Sequence, residues 1–361
     1  MTTTGQVRLL ADGDLDALAG FCARWPGETV TAAAWRTRFD HWWKRNPWCT
    51  PSTPRGWLLL DGARIGGFFG LVPVPFQSGG QEVIAFGSTT WRVDPDLRHL
   101  SLTALASALK ACKETLLFVW TGTPTLIKIL DKLKFRPLLR PAYFRGRQPS
   151  LLLLSPGRAL ASFGRAPALA RVAGAPLIGH AAVAWMRGRI ASRGMSVERV
   201  THADSRFDDL WQRTRKRVDN TNVRSAAYLD WHCFGGGTVG KWLFACAPTK
   251  SAPLSGMLIA CVKHARGLRV LEVADVWTDT AEPRALEALF AQLIADGWRA
   301  GMDAIELPHF DDALHALARR HALLPRAPAE SSELVLAKPA TLDAMTLENC
   351  YFTGMHGDRW L

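Results

Sequence analysis

Apolar positions along the chain follow two rhythms, one strand-like and one helical, and their order runs twice. In the first half, residues 6–10 alternate as a strand, and Leu15, Leu18 and Phe21 fall at helical spacing. Trp35, Phe39, Trp42 and Trp43 mark a second helix that stops at Asn46-Pro47. Strands are predicted over 57–60, 65–74 and 83–93, then a helix on Leu102, Leu105, Leu109 and Cys112. An apolar strand over 116–120 leads to a helix carrying Leu126, Ile127, Leu130 and Leu133, which ends at Phe135.

The series returns about 185 to 192 residues later. Residues 196–200 form the strand, and Phe207, Leu210 and Trp211 mark the first helix. Tyr228-Leu229-Asp230-Trp231 echoes Phe39-Asp40-His41-Trp42, and strands over 242–245, 254–262 and 269–277 match those of the first half. Pro283 opens a helix on Leu286, Leu289, Phe290, Leu293, Ile294 and Trp298, since a first turn loses nothing from its missing N–H. A strand over 304–307, a helix on Leu314, Leu317 and Ala318 capped by Asp311, and a strand over 333–337 complete the copy.

The fold class is α/β, with mixed, mostly antiparallel central sheets flanked by helices. The divisions are 1–150, a connector over 151–194, and 195–361. A chain of 361 residues with 48% hydrophobic positions has core enough for two such units. In the connector, Pro156, Gly164, Pro167, Gly174 and Pro176 predict short pieces. Seven cysteines without CxxC or metal-ligand spacing predict reduced thiols and no metal. There is neither a basic-then-apolar N-terminus nor an uninterrupted run of about 18 apolar residues. The expected location is the cytoplasm, with a peripheral place at the inner membrane compatible with the charge.

That charge, +12 overall, is concentrated. No Asp or Glu occurs between Lys132 and Val197, while twelve Lys and Arg residues do, among them Arg187, Arg189 and Arg193. The window reads either as a solvated connector or as a surface for an anionic membrane or an acidic carrier protein. Specific DNA binding is not expected.

Strand, two helices, three antiparallel strands, helix, parallel strand, helix is an order that resembles the GNAT (Gcn5-related) N-acetyltransferases. The residues agree most over 83–136. Trp91-Arg92-Val93-Asp94-Pro95 with Leu97-Arg98-His99-Leu100-Ser101-Leu102-Thr103 resembles that family's strand-to-helix turn, R/Q-x-x-G-x-G/A. Thr121 to Phe135 resembles its later helix, with Leu130 where the family has a Tyr and Lys134 where it has a Gly. The Trp35–Pro47 and Tyr228–Phe234 segments, with Gly357-Asp358-Arg359-Trp360, are similar to tandem GNAT proteins of envelope and exopolysaccharide pathways, and more distantly to FemAB aminoacyl transferases.

The resemblance implies an acetyl-CoA or other acyl-CoA donor held by Trp91, Val93, Arg98, His99, Leu100, Ser101, Leu102 and Thr103. A helix N-terminus suits a pyrophosphate because its free N–H groups and dipole end are positive. Ser101 and Thr103 stand where the family has small glycines. The equivalent turn of the second half, Thr278-Asp279-Thr280-Ala281-Glu282-Pro283-Arg284, carries two acids, which disfavours a pyrophosphate. That half reads as a degenerate or acceptor-binding copy.

Acyl transfer to an amine needs a base and an oxyanion donor. The strands before the two turns offer Glu82 and Asp275 as catalytic carboxylates, Asp275 lying in an otherwise apolar run. Trp43, Trp231 and Asp358 are candidates for the acceptor side. The leading expectation is an acyltransferase moving an acyl group, acetyl first among them, directly from acyl-CoA to an amine or hydroxyl of a small or lipid-linked envelope-sugar acceptor, as in polysaccharide biosynthesis. The alternatives are a transferase using acyl carrier protein or aminoacyl-tRNA, and a non-catalytic tandem scaffold at the membrane surface.

Overall fold

The computed structural model describes residues 5–113, 115–120, 128, 132, 136–139, 149–158, 167–236, 239–325, 334–337, 349–356 and 361. The chain begins with β1 (Gln6–Leu9), α1 (Leu15–Ala23) and α2 (Ala32–Phe39), which continues as a π-helical turn over Asp40–Lys44. The meander is β2 (Gly56–Asp61), β3 (Arg64–Ser78) and β4 (Gln81–Val93). A 3-10 turn (Pro95–Leu100) leads into α3 (Ser101–Ala111), and β5 (Leu117–Trp120), β6 (Arg136–Leu139) and β7 (Ser150–Leu153) follow. The helix expected on Leu126 to Leu133 lies mostly outside the described residues.

The connector differs from its sequence reading. Where short pieces are expected after Pro167, it holds a single 25-residue helix, α4 (Pro167–Ala191). Pro167 stands at its first position, where proline is tolerated, and the alanine-rich sequence favours helix on both sides of Pro176. Next come β8 (Ser196–Val200), α5 (Ser205–Thr214), β9 (Asn220–Asn222) and α6 (Ala226–Phe234). Strands β10 (Lys241–Ala247), β11 (Gly256–Ala265) and β12 (Leu268–Thr278) form the second meander. The chain then runs through α7 (Arg284–Arg299), β13 (Ala304–Leu307), α8 (Asp312–Arg320), β14 (Leu324–Pro325), β15 (Leu334–Ala337) and β16 (Cys350–Tyr351). Asp311 caps α8 as expected, accepting from the Leu314 N–H at 2.9 Å.

Two sheets result, with matching orders: β1-β2-β3-β4-β5-β15-β6 and β8-β10-β11-β12-β13-β7-β14. In each, the fourth and fifth strands are parallel and their neighbours antiparallel. The sixth position is filled by exchange. β7, which follows the first set of elements, enters the second sheet between β13 and β14, and β15 enters the first sheet between β5 and β6. β9 adds a further link by pairing with β3 at Phe76 and Gln77.

Strand alternation sorts the side chains into three layers of core. Trp57, Leu59, Phe69 and Leu71 face α3, whose Ala104, Leu105 and Ala108 cover them. Leu58, Phe68, Val72 and Phe76, on the opposite face, enter one continuous core with α1, α2, α5, α6 and the inner face of the second sheet (Leu243, Ala245, Ile259, Trp277). Phe244, Leu258, Leu271 and Ile305 face outward onto α7. Four helices are thus shared between the sheets, so the central core belongs to neither half alone.

Candidate active site

β4 and β5 pair only at Phe86↔Leu117 and Gly87↔Phe118. From Ser88 to Val93, β4 continues along β3, while β5 continues along β15 through Val119 and Trp120. The two parallel strands therefore part after Gly87, leaving a notch in the sheet. Within the notch β4 carries a bulge: Thr90 and Trp91 together oppose Phe69, between the pairs Gly70↔Thr89 and Phe68↔Arg92. Thr90 has φ 48°, a strained value for a β-branched residue and one that only surrounding structure holds in place. Trp91 secures the bulge by an edge contact on Phe69 at 4.9 Å, and the Arg92 side chain crosses to Glu28 at 2.7 Å. A bulge at such a place re-aims main-chain groups out of the ladder.

The residues after the notch are those that the sequence singled out. Val93 ends β4 partly buried against the α3-side core, together with Leu100. Arg98 and His99 are exposed on the 3-10 turn, and Ser101, Leu102 and Thr103 form the first turn of α3. That turn contains no acid, and no side chain caps it. The nearby Asp94 and Asp96 are both taken up by Arg64, at 2.7 and 2.5 Å. The Ser101 N–H donates to the Arg98 carbonyl, so α3 continues from the 3-10 turn, and this junction presents two exposed basic side chains, Arg98 and His99, where a phosphate could approach.

The second sheet has an equivalent notch. β12 and β13 part after Glu272↔Glu306, and a bulge follows at Ala274. Here the gap is filled from within. The Tyr351 hydroxyl donates to the Val276 carbonyl at 2.6 Å and Arg217 donates to the Thr278 carbonyl at 2.6 Å, with the Arg217 guanidinium 3.5 Å over the Trp277 ring. Ahead of α7, Glu282 pairs with Arg284 and Asp279 with Arg213. Both turns thus carry two acids held by arginines, and the second copy differs in the groups that fill its notch.

The two expected catalytic carboxylates do not meet at the open notch. Glu82 lies near the start of β4, about 17 Å of strand before the notch at 3.3 Å per residue. There it accepts from Trp211 Nε1 at 3.0 Å, with Arg215 3.6 Å away. Asp275 lies in the filled notch, fully buried, with both oxygens held by Arg224 at 2.8 and 3.0 Å. Its apolar surroundings are explained by a partner 51 residues away rather than by a base. Trp43 and Trp231 are buried, and their N–H groups are bound to the Leu71 and His41 carbonyls at 2.8 and 2.9 Å. Both indoles pack the central core instead of lining an acceptor groove. Asp358 lies outside the described residues.

Sequence reasoning missed a buried histidine group between the two copies. His41, in the π turn, stacks on Trp231 at 5.0 Å, and His232 stacks on Tyr228 at 5.7 Å. Gly235 permits this approach, since a Cβ there would lie 2.8 Å from His41 Nδ1. Burial, then the Lys241 ammonium, lowers His41 to about 4 and holds His232 well below its usual range. Burial, then Arg224, lowers His356 to about 3. All three are neutral when folded, whereas in the unfolded chain each binds a proton near pH 6.5. Their contribution is therefore complete above about pH 6.5 and is lost as pH falls toward the folded values. The expected cost is up to about 1.4 kcal/mol per pH unit for each histidine. Thermal midpoints measured from pH 7 to 4 should fall steeply, and His41→Phe should flatten the fall; an unchanged slope contradicts the assignment.

Burial also raises the Cys22, Cys112, Cys233 and Cys246 thiols to about 12, so none of these supplies a thiolate near neutrality. Among the described residues, no group of three or more His, Cys, Asp and Glu could hold a metal ion.

No family profile matches the sequence, and neither does any curated protein. Solved structures do match the fold. A GCN5-related N-acetyltransferase from Anabaena variabilis superposes with TM-score 0.59 at 13% identity, over 92% of this chain and 72% of that one. A second, from Kribbella flavida, gives 0.58 at 12%, over 92% and 70%. Saccharomyces cerevisiae N-myristoyltransferase, solved with myristoyl-CoA bound, gives 0.55 at 10%, over 93% and 82%. With the matching strand orders and the parted parallel strands, these likenesses establish that the protein has the GCN5-related N-acetyltransferase fold, built twice in one chain.

Proposed function

We propose that the protein transfers an acyl group from acyl-CoA to an amine or hydroxyl, using the first notch as the donor site. The observation that carries this reading is the parting of β4 from β5 after Gly87, with the Thr90 bulge inside the gap and the uncapped α3 N-terminus beyond it. The pantetheine arm would lie along the β4 edge from Ser88 to Val93. The pyrophosphate would lie at the junction of the 3-10 turn and α3, beside Arg98 and His99.

In direct transfer the acceptor attacks the thioester carbonyl, the carbon–sulfur bond breaks, and CoA leaves as a thiolate that takes up a proton. A main-chain N–H turned out of the ladder by the bulge would stabilise the negative oxygen that develops. The buried, protonated cysteines favour this route over an acyl-enzyme. The filled second notch supports a structural or acceptor-side role for that copy. We take the acceptor to be a small or lipid-linked envelope-sugar precursor, a reading that rests on the sequence resemblance and on the excess of basic charge.

Calorimetric titration with acetyl-CoA and longer acyl-CoA tests the donor. Arg98→Glu, which reverses an exposed charge beside the pyrophosphate, is expected to weaken binding about tenfold or more, as 1.4 kcal/mol corresponds to a factor of ten. Unchanged affinity in Arg98→Glu would remove the assignment of this helix end.

A further inference from the structure

Over residues 179–191, where its side chains are described, helix α4 has one buried and one exposed apolar face. Ala181, Ala184, Gly188 and Ser192 recur at helical spacing and are buried. Gly188 lies so close to α7 that a Cβ there would sit 3.0 Å from the Ala291 side chain. This row of small residues docks α4 on α7, with Trp185 against Trp298 and His180 on the His321 carbonyl beside it. On the opposite side, Val183, Met186 and Ile190 fall at i, i+3 and i+7, and are 40%, 50% and 68% exposed. Large aliphatic side chains in such a row, more exposed toward its end, are not needed for packing.

Basic residues border this stripe. At 100° per residue, Arg187 lies on one side of it and Arg189 on the other, and Arg193 follows in the turn after the helix. All three are exposed, and none is paired with a carboxylate among the described residues. The chain contains no acid from Lys132 to Val197 to offset them. Neither is the helix suited to crossing a bilayer, since no described helix is long and apolar enough. An apolar stripe between flanking arginines is the arrangement of a helix lying in the plane of an anionic lipid surface. Aliphatic tips enter the acyl boundary while guanidinium groups reach the headgroup phosphates.

We infer that the outer face of α4 docks the protein reversibly on an anionic membrane surface. This goes beyond the acyl-transfer reading and does not depend on it. The arginines supply attraction that salt screens, and Met186 and Ile190 supply the part that salt leaves in place.

Co-sedimentation of the full chain with phosphatidylglycerol/phosphatidylcholine vesicles and with phosphatidylcholine vesicles tests the surface. Binding is expected to the anionic vesicles only, at low salt. Arg187→Gln/Arg189→Gln/Arg193→Gln should reduce it by roughly a hundredfold, at about fivefold per arginine. Met186→Ser/Ile190→Ser should weaken binding to the anionic vesicles at low salt although every arginine is kept. Both variants change exposed side chains and should keep the wild-type thermal midpoint, which shows that they fold. Three results would overturn the proposal: no binding to anionic vesicles, equal binding to neutral ones, or variants that bind as wild type. Binding of an acidic acyl carrier protein that these arginines control, without vesicle binding, would assign the face to a protein partner instead.

Discussion

Residues 1–149 and 195–361, produced separately, are expected to fail to fold. Without β15, β5 loses its partner along Leu117–Trp120 and β6 has nothing to join it to the sheet. Without β7, β13 loses its partner at Ala304–Leu307 and β14 is stranded in the same way. Each half would also expose its share of the central core: Trp42, Trp43 and Phe68 on one side, Trp211, Tyr228 and Trp277 on the other. Burying such a side chain stabilises by about 1.5–3 kcal/mol, and several lost together exceed the 5–15 kcal/mol net stability of an ordinary domain. The intact chain should unfold in one cooperative transition, followed by circular dichroism, while either half alone shows none. A cooperative transition in an isolated half would contradict the shared core.

Arg224→Met should destabilise the protein by about 3–5 kcal/mol, the usual cost of leaving a buried charge without its partner. Arg224 and Asp275 are both fully buried. The guanidinium also donates to Thr221 Oγ1 at 2.9 Å and to the Asn222 carbonyl at 2.7 Å, and lies 4.2 Å over the Trp277 ring. It therefore ties β9, which is paired to the first sheet, to β12 of the second. The double variant Arg224→Met/Asp275→Leu removes both charges and should recover most of the loss, because the residual cost is two backbone and hydroxyl contacts rather than an orphaned carboxylate. Urea unfolding of the two variants separates these outcomes. A double variant no more stable than Arg224→Met would show that the ion pair is not what the core requires.

The repeated order of strands and helices was legible because both periodicities are local: each element announces itself through residues a few positions apart. Leu334–Ala337 was equally readable as a strand. Its place was not, since an apolar strand of four residues fits between β5 and β6 as well as between β13 and β14, and only the assembled core distinguishes them. The same limit applied to Asp275. An acid in an apolar run signals a partner, but its Arg224 lies 51 residues away, in the irregular segment after the three-residue β9. Trp43 and Trp231 were visible as an aromatic group near the acceptor side; that their N–H groups are used by Leu71 and His41 is a tertiary fact. The turn from Trp91 to Thr103 stands out in the sequence because a strand end, a basic turn and a helix start follow one another in consecutive residues. The Thr90 bulge depends on register with β3 and leaves no such mark.

A structure of the protein with an acyl-CoA bound tests the central claim most directly. The account predicts one donor per chain, with its pantetheine along Ser88–Val93 between β4 and β5 and its pyrophosphate at the N-terminus of α3 beside Arg98. A donor lodged between β12 and β13, or no acyl-CoA bound at saturating concentration, would contradict it.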